Sequence, residues 1–98
     1  MKISPKTPSE IVPVTFDYSE LGVTTIDAVY QVGIYVVTGI DASSADMVIG
    51  SPTIDGATVT QLIRNGVAGV TYRVYCIVNV DSEKYQIDGD MLCKAWHS

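Results

Sequence analysis

Asn65-Gly66-Val67-Ala68-Gly69-Val70-Thr71-Tyr72-Arg73-Val74-Tyr75-Cys76-Ile77-Val78-Asn79-Val80-Asp81-Ser82-Glu83-Lys84-Tyr85-Gln86-Ile87-Asp88-Gly89-Asp90-Met91-Leu92-Cys93-Lys94-Ala95-Trp96 is the stretch whose reading decides the fold. From Val70 to Val80 every second residue is apolar, aromatic or a thiol: Val70, Tyr72, Val74, Cys76, Val78, Val80. Thr71, Arg73, Tyr75, Ile77 and Asn79 alternate with them and are mostly more polar. Successive side chains of a strand point to opposite sides of a sheet, so a period of two marks a strand with one buried face. Asp81-Ser82 is a turn signal, and a second run with strand character follows it. The stretch predicts a long antiparallel hairpin, the spine of a β-sandwich.

The rest of the chain repeats this pattern in shorter units. Glu10–Tyr18 predicts a strand with Val12, Val14, Phe16 and Tyr18 on one face. Pro13 has no N–H to give to a ladder, which places this strand at a sheet edge. Thr24–Val37 predicts a second strand, with Ile26, Ala28, Tyr30 and Val32 sharing a face and Gly33 marking a bulge or a crossing between sheets. Ile34-Tyr35-Val36-Val37 is apolar on both faces, as for a central strand or one covered by a partner. Asp46–Ile49 predicts a short strand closed by Gly50-Ser51-Pro52. Asp55-Gly56 is a turn dipeptide, and Ala57–Ile63 predicts a strand with Val59, Gln61 and Ile63 on one side. Six or seven short strands with a turn signal every 8–12 residues or so is the spacing of an all-β sandwich, with a small barrel as the alternative. No segment keeps apolar residues at helical spacing over three turns.

Composition narrows the function. A chain of 98 residues forms one domain. Residues 1–9, with Pro5 and Pro8 and no period, read as a flexible arm, and residues 10–98 as the sandwich. Six basic against eleven acidic residues give a net charge of -5, which argues against a nucleic-acid binder. No apolar run is long enough to span a membrane, and the first residues lack the apolar core of a signal peptide. Charged residues make up only 17% of the chain, so part of the surface is expected to meet partners.

Chemistry-bearing groups are sparse. If the hairpin turns at Asp81–Lys84, Cys76 faces Gly89 and Cys93 faces Tyr72. The two thiols then stand about 13 Å apart along the sheet, beyond the roughly 7 Å between Cα atoms that a disulfide needs. Both are expected to be free, buried and reduced. His97, alone beside the C-terminus, has no partners for a zinc site and reads as a solvated tail. Asp41, Ser43, Ser44 and Asp46 crowd one loop but lack the spacing of a calcium loop and are also ordinary loop formers. Asp88 and Asp90 share a strand face at a spacing open to an acid–base pair, or serve as edge charges. No catalytic residue, metal site or cofactor is expected. Tyr35, Tyr75 and Trp96 are the candidate exposed surface for a protein or a sugar.

Three stretches carry a resemblance. Ser4-Pro5-Lys6-Thr7-Pro8-Ser9-Glu10 leads to Val14-Thr15-Phe16-Asp17-Tyr18-Ser19. Thr25-Ile26-Asp27-Ala28-Val29-Tyr30-Gln31-Val32 follows. Gly66-x-x-Gly69-x-x-Tyr72-x-Val74 then opens the hairpin. In this order the chain resembles the small Ig-like structural proteins of tailed bacteriophages and prophages, head–tail or tail-associated, over roughly residues 4–96. The resemblance implies an antiparallel Ig-like β-sandwich and a non-enzymatic virion protein made in the bacterial host cytoplasm. It implies contacts with other virion proteins, and the two-faced apolar run Ile34–Val37 leads one to expect a homo-oligomer; charge and the lack of an apolar span leave neither nucleic acid nor membrane as an expected partner, and a small-molecule ligand is unexpected. The alternative is an Ig-like carbohydrate-binding or adhesive module of a tail fibre or bacterial surface protein. Tyr30 stands where the resemblance leads one to expect Trp.

Overall fold

The computed structural model describes residue 1 and residues 3–96; Lys2, His97 and Ser98, and with them the reading of His97 as a solvated tail, lie outside the described residues. The described residues form six strands, β1 (Val12–Asp17), β2 (Ala28–Thr38), β3 (Val48–Asp55), β4 (Thr58–Ile63), β5 (Thr71–Val80) and β6 (Glu83–Leu92). They make two antiparallel three-stranded sheets, β1-β4-β3 and β2-β5-β6. This is the order of the last six strands of an immunoglobulin constant-type sandwich. Among the described residues no helix is long and apolar enough to cross a membrane.

The alternation in the hairpin is the alternation of burial. Val70, Tyr72, Val74, Cys76 and Val78 are buried, and Val14, Phe16, Tyr18, Val59 and Ile63 of the opposite sheet close over them. A fully buried Val or Phe contributes about 1.5–3 kcal/mol, so this one face supplies much of the stability. Strand β1 lies at an edge, where Pro13 is tolerated. The hydroxyl of the buried Tyr18 crosses the sandwich and donates to the Cys76 carbonyl.

Four expectations are corrected. First, the hairpin turn is tighter: Val80 pairs with Glu83, and Asp81 takes a positive φ of 55°. Asp is among the few non-glycine residues that accept this conformation, and its N–H donates to Asp27 Oδ2 at 2.6 Å. The register moves by two, which leaves every face as expected. Cys76 now faces Ile87 and Cys93 lies beside Val70. Both thiols are free and buried, and burial pushes both pKa values up.

Second, the second strand starts at Ala28, not Thr24. Residues 24–27 cross from one sheet to the other, with the Ile26 N–H on Gly56 O and the Asp27 N–H on Asn79 O. Third, the irregularities of this strand lie at Tyr30 and Val37, not Gly33: the register shifts between Val29 and Gln31 and again between Val36 and Thr38, while Gly33 pairs regularly with Tyr75. The bulge turns Tyr30 outward, 59% exposed, and leaves Val29, Val32 and Ile34 to face the core. Fourth, the short strand expected at Asp46–Ile49 is a 3-10 turn, Ser44–Met47, followed by β3 running through Gly50 and Pro52. As an edge strand β3 tolerates the proline. The buried Gln61 amide donates to the Ile49 and Gly50 carbonyls where the β3–β4 register breaks.

Residues 3–7 of the stretch expected to be an arm pack on the chain itself. Lys6 makes a parallel bridge to Cys93. Its ammonium is buried and donates to the carbonyls of Thr7 and Asn65. Burial lowers its pKa, against the opposing pull of Cys93 and Glu10.

The segment between β4 and β5 is fixed by Tyr72. Its hydroxyl donates to Asp41 Oδ2 at 2.7 Å and accepts the Val67 N–H at 2.7 Å. A tyrosine at this corner, bonded to backbone just upstream, is a hallmark of immunoglobulin-type sandwiches. Burial and the Asp41 carboxylate push its pKa up to about 12. A raised folded-state pKa means stability that is fully present below the ordinary tyrosine value of 10.0 and is lost as pH climbs through about 12. Tyr72→Phe strands the Val67 amide and the Asp41 carboxylate, and should lower unfolding free energy by about 1–3 kcal/mol in urea titrations at neutral pH. The same variant should show a shallower loss of stability than the native chain above pH 10.

Candidate interaction face

The outward side chains of β2, β5 and β6 line up in cross-strand rows. Gln31, Ile77 and Gln86 form one row, Gly33, Tyr75 and Asp88 the next, and Tyr35, Arg73 and Asp90 the third. In the third row Arg73 holds Asp90 with both groups of its fork, Nε to Oδ1 at 2.8 Å and Nη2 to Oδ2 at 3.2 Å. The guanidinium holds the Asp90 carboxyl below its ordinary pKa, and Asp90 with Tyr35 raises that of Arg73. In the second row the Tyr75 ring lies over Gly33. A Cβ there would stand 2.3 Å from the Tyr75 hydroxyl oxygen and 2.4 Å from its Cζ. Gln31 Nε2 donates to the Tyr75 hydroxyl at 3.0 Å, and the Tyr35 and Tyr75 rings lie 6.1 Å apart with planes tilted by 49°. At the other end of the face Lys84 Nζ sits 4.7 Å above the Tyr30 ring.

Two of the three residues expected to form a surface, Tyr35 and Tyr75, are therefore neighbours. Trp96, 71% exposed, lies beyond the last strand and makes no ring contact with them. The other candidate groups are engaged elsewhere or dispersed. Asp41 accepts the Tyr72 hydroxyl and the Ser43 N–H, so this carboxylate ties the loop to β5. Asp88 and Asp90 share the outer face, but Asp90 belongs to Arg73. Among the described residues no three His, Cys, Asp or Glu side chains cluster to hold a metal.

Sequence reading missed Gly33 as the seat of a ring, the Arg73–Asp90 pair and Lys84 over Tyr30. The first two had a signal, since Gly33 opposite Tyr75 and Arg73 opposite Asp90 follow once the register of β5 is known. The third depends on the bulge at Tyr30, which the sequence does not mark.

Fold and surface together define a small all-β domain with one outer sheet face rich in tyrosine and paired charge. Over residues 6–90 the chain matches the family model described as podophage GP4 fiber-tail adaptor protein gp77, and it belongs to that family. It is thus a structural protein of the phage tail, a virion component that meets other virion proteins, in line with its resemblance to small tail-associated phage proteins. Comparison with curated proteins and with solved structures returns no match.

The Arg73–Asp90 pair gives a direct pH test. Asp90 has a depressed folded-state pKa, so its contribution to stability is present above the ordinary carboxylate value of 3.8 and is lost as pH falls through the lower folded value. In a carboxyl NMR titration Asp90 should titrate below that value, and Arg73→Gln should return it upward. An unchanged midpoint in the variant would disprove the coupling.

Proposed function

We propose that this protein acts in the tail as an adaptor through subunit contacts alone, without a reaction of its own, and that the outer face of β2-β5-β6 is its principal contact. The observation that carries this reading is the row Tyr35–Arg73–Asp90 beside Tyr75. Tyrosine and arginine are the side chains most enriched where protein interfaces draw their binding energy. Here they stand together toward the Thr71 end of the face, held by an ion pair and a ring contact. Rings and guanidinium already fixed in place lose less conformational freedom on docking.

The opposite outer face is different in kind. It presents Pro13, Thr15, Thr58, Thr60 and Leu62, with Thr15 and Thr60 hydrogen-bonded to each other. The carbohydrate-binding alternative draws less support from the geometry. The two tyrosine planes are tilted by 49° rather than level, so they do not form one flat platform for a sugar ring.

The test is assembly. In a complementation assay with a phage lacking the gene, the double variant Arg73→Ala, Tyr75→Ala should melt cooperatively yet be absent from purified tails. Incorporation at the native level would contradict the proposal. A glycan array with the native protein should show no specific binding that Tyr75→Ala removes.

A further inference from the structure

The geometry points to a second copy of this chain as the occupant of the β2-β5-β6 outer face, seated about a two-fold axis that crosses the strands at the level of Ile77 and Gln86. The inference rests on the reading of that face as a contact surface and names its partner. Three observations carry it.

The first is size. The molecule measures 40 × 26 × 21 Å. A broad face offers on the order of 800 Å² per copy and an end only about 400 Å², while a stable pair needs about 800 Å² from each partner. Size rules out the ends and leaves the long sides of the molecule, of which the β2-β5-β6 face is one.

The second is charge. The chain carries -5 overall, yet on this face Lys84 and Arg73 balance Asp88 and Asp90. The end formed by the β1–β2, β3–β4 and β5–β6 connections is the reverse, with Asp17, Glu20, Asp27, Asp55, Asp81 and Glu83 gathered there. Two copies meeting through this end would set these carboxylates against each other, whereas copies meeting on the face would not.

The third is self-complementarity, which a two-fold contact requires. The Ile77–Gln86 row lies between the row of Tyr75 and Asp88 and the row of Asn79 and Lys84. Rotation about an axis along that middle row sets Lys84 of each copy opposite Asp88 of the other, twice, with Ile77 meeting Ile77 on the axis. Sheets packed face to face lie about 10 Å apart, a gap that a lysine and an aspartate span together. Lys84 is already laid across the face by the Tyr30 ring. Asp88 has no side-chain partner among the described residues, unlike Asp90.

Sedimentation equilibrium of the full chain at physiological salt tests this. The native protein should be a dimer. Lys84→Asp and Asp88→Lys should each raise its dissociation constant about tenfold or more. The exchange variant carrying both should recover native association. Thermal unfolding of each variant reports that it is folded. A native chain that stays monomeric at assembly concentrations would overturn the inference, as would an exchange variant no better than the single ones. If the native chain is monomeric while Arg73→Ala, Tyr75→Ala is still lost from tails, the face is a contact for another virion protein, and this inference fails without the reading beneath it.

Discussion

Strand β5 is paired on both sides and covered on one face by the second sheet, and this arrangement constrains everything around it. Its backbone donors and acceptors are satisfied by β2 and β6, so it can be buried without orphaned polar groups. Its inward residues, Tyr72, Val74, Cys76 and Val78, are fully buried. A slip of one residue would turn all of them to solvent and bring Arg73 and Tyr75 into the core. The same alternation therefore fixes two things at once, a dry interior and the chemistry of the outer face. Tyr72 anchors the start of this strand by spending its hydroxyl on Asp41 and Val67, which holds the β4–β5 connection and the loop after β2 to the same end of the sandwich.

How much of this was readable in the sequence follows from what sets each feature. The faces of β1, β4 and β5 depend on an alternation that is local, and they emerge as Val14 and Phe16, Val59 and Ile63, and Val74 to Val78. The offset of β5 against β6 depends on how many residues the turn uses. Asp81 in a left-handed conformation makes it two residues shorter than the polar run suggests. Because this difference is even, it displaces partners without exchanging faces. The bulge at Tyr30 has no local mark, since its neighbours are ordinary strand formers, and only pairing with β5 reveals it. Gly33 looked like a break because glycine often is one. Its role is set by Tyr75, forty-two positions away in the chain. The packing of Lys6 was equally unreadable, because its partners Asn65 and Cys93 are distant in sequence.

The candidate surface was legible only in part, for the same reason. Tyr35 and Tyr75 come together because β2 and β5 are neighbours with Gly33 between them, whereas Trp96 lies past the strand that would have carried it to the face. The groups that suggested chemistry are accounted for by structure: Asp41 by Tyr72, Asp90 by Arg73, and the two thiols by burial. What is left exposed and organised is a sheet face of balanced charge, a surface suited to contact in a protein of the phage tail.

The most direct measurement of the central claim is hydroxyl-radical footprinting of this protein free in solution and within purified tails. The account predicts that Tyr35, Tyr75 and Leu92, on the β2-β5-β6 face, become protected on assembly, while Leu62 on the opposite sheet stays labelled. Equal labelling of Tyr35 and Tyr75 in both states, with protection moving to Leu62 instead, would contradict it.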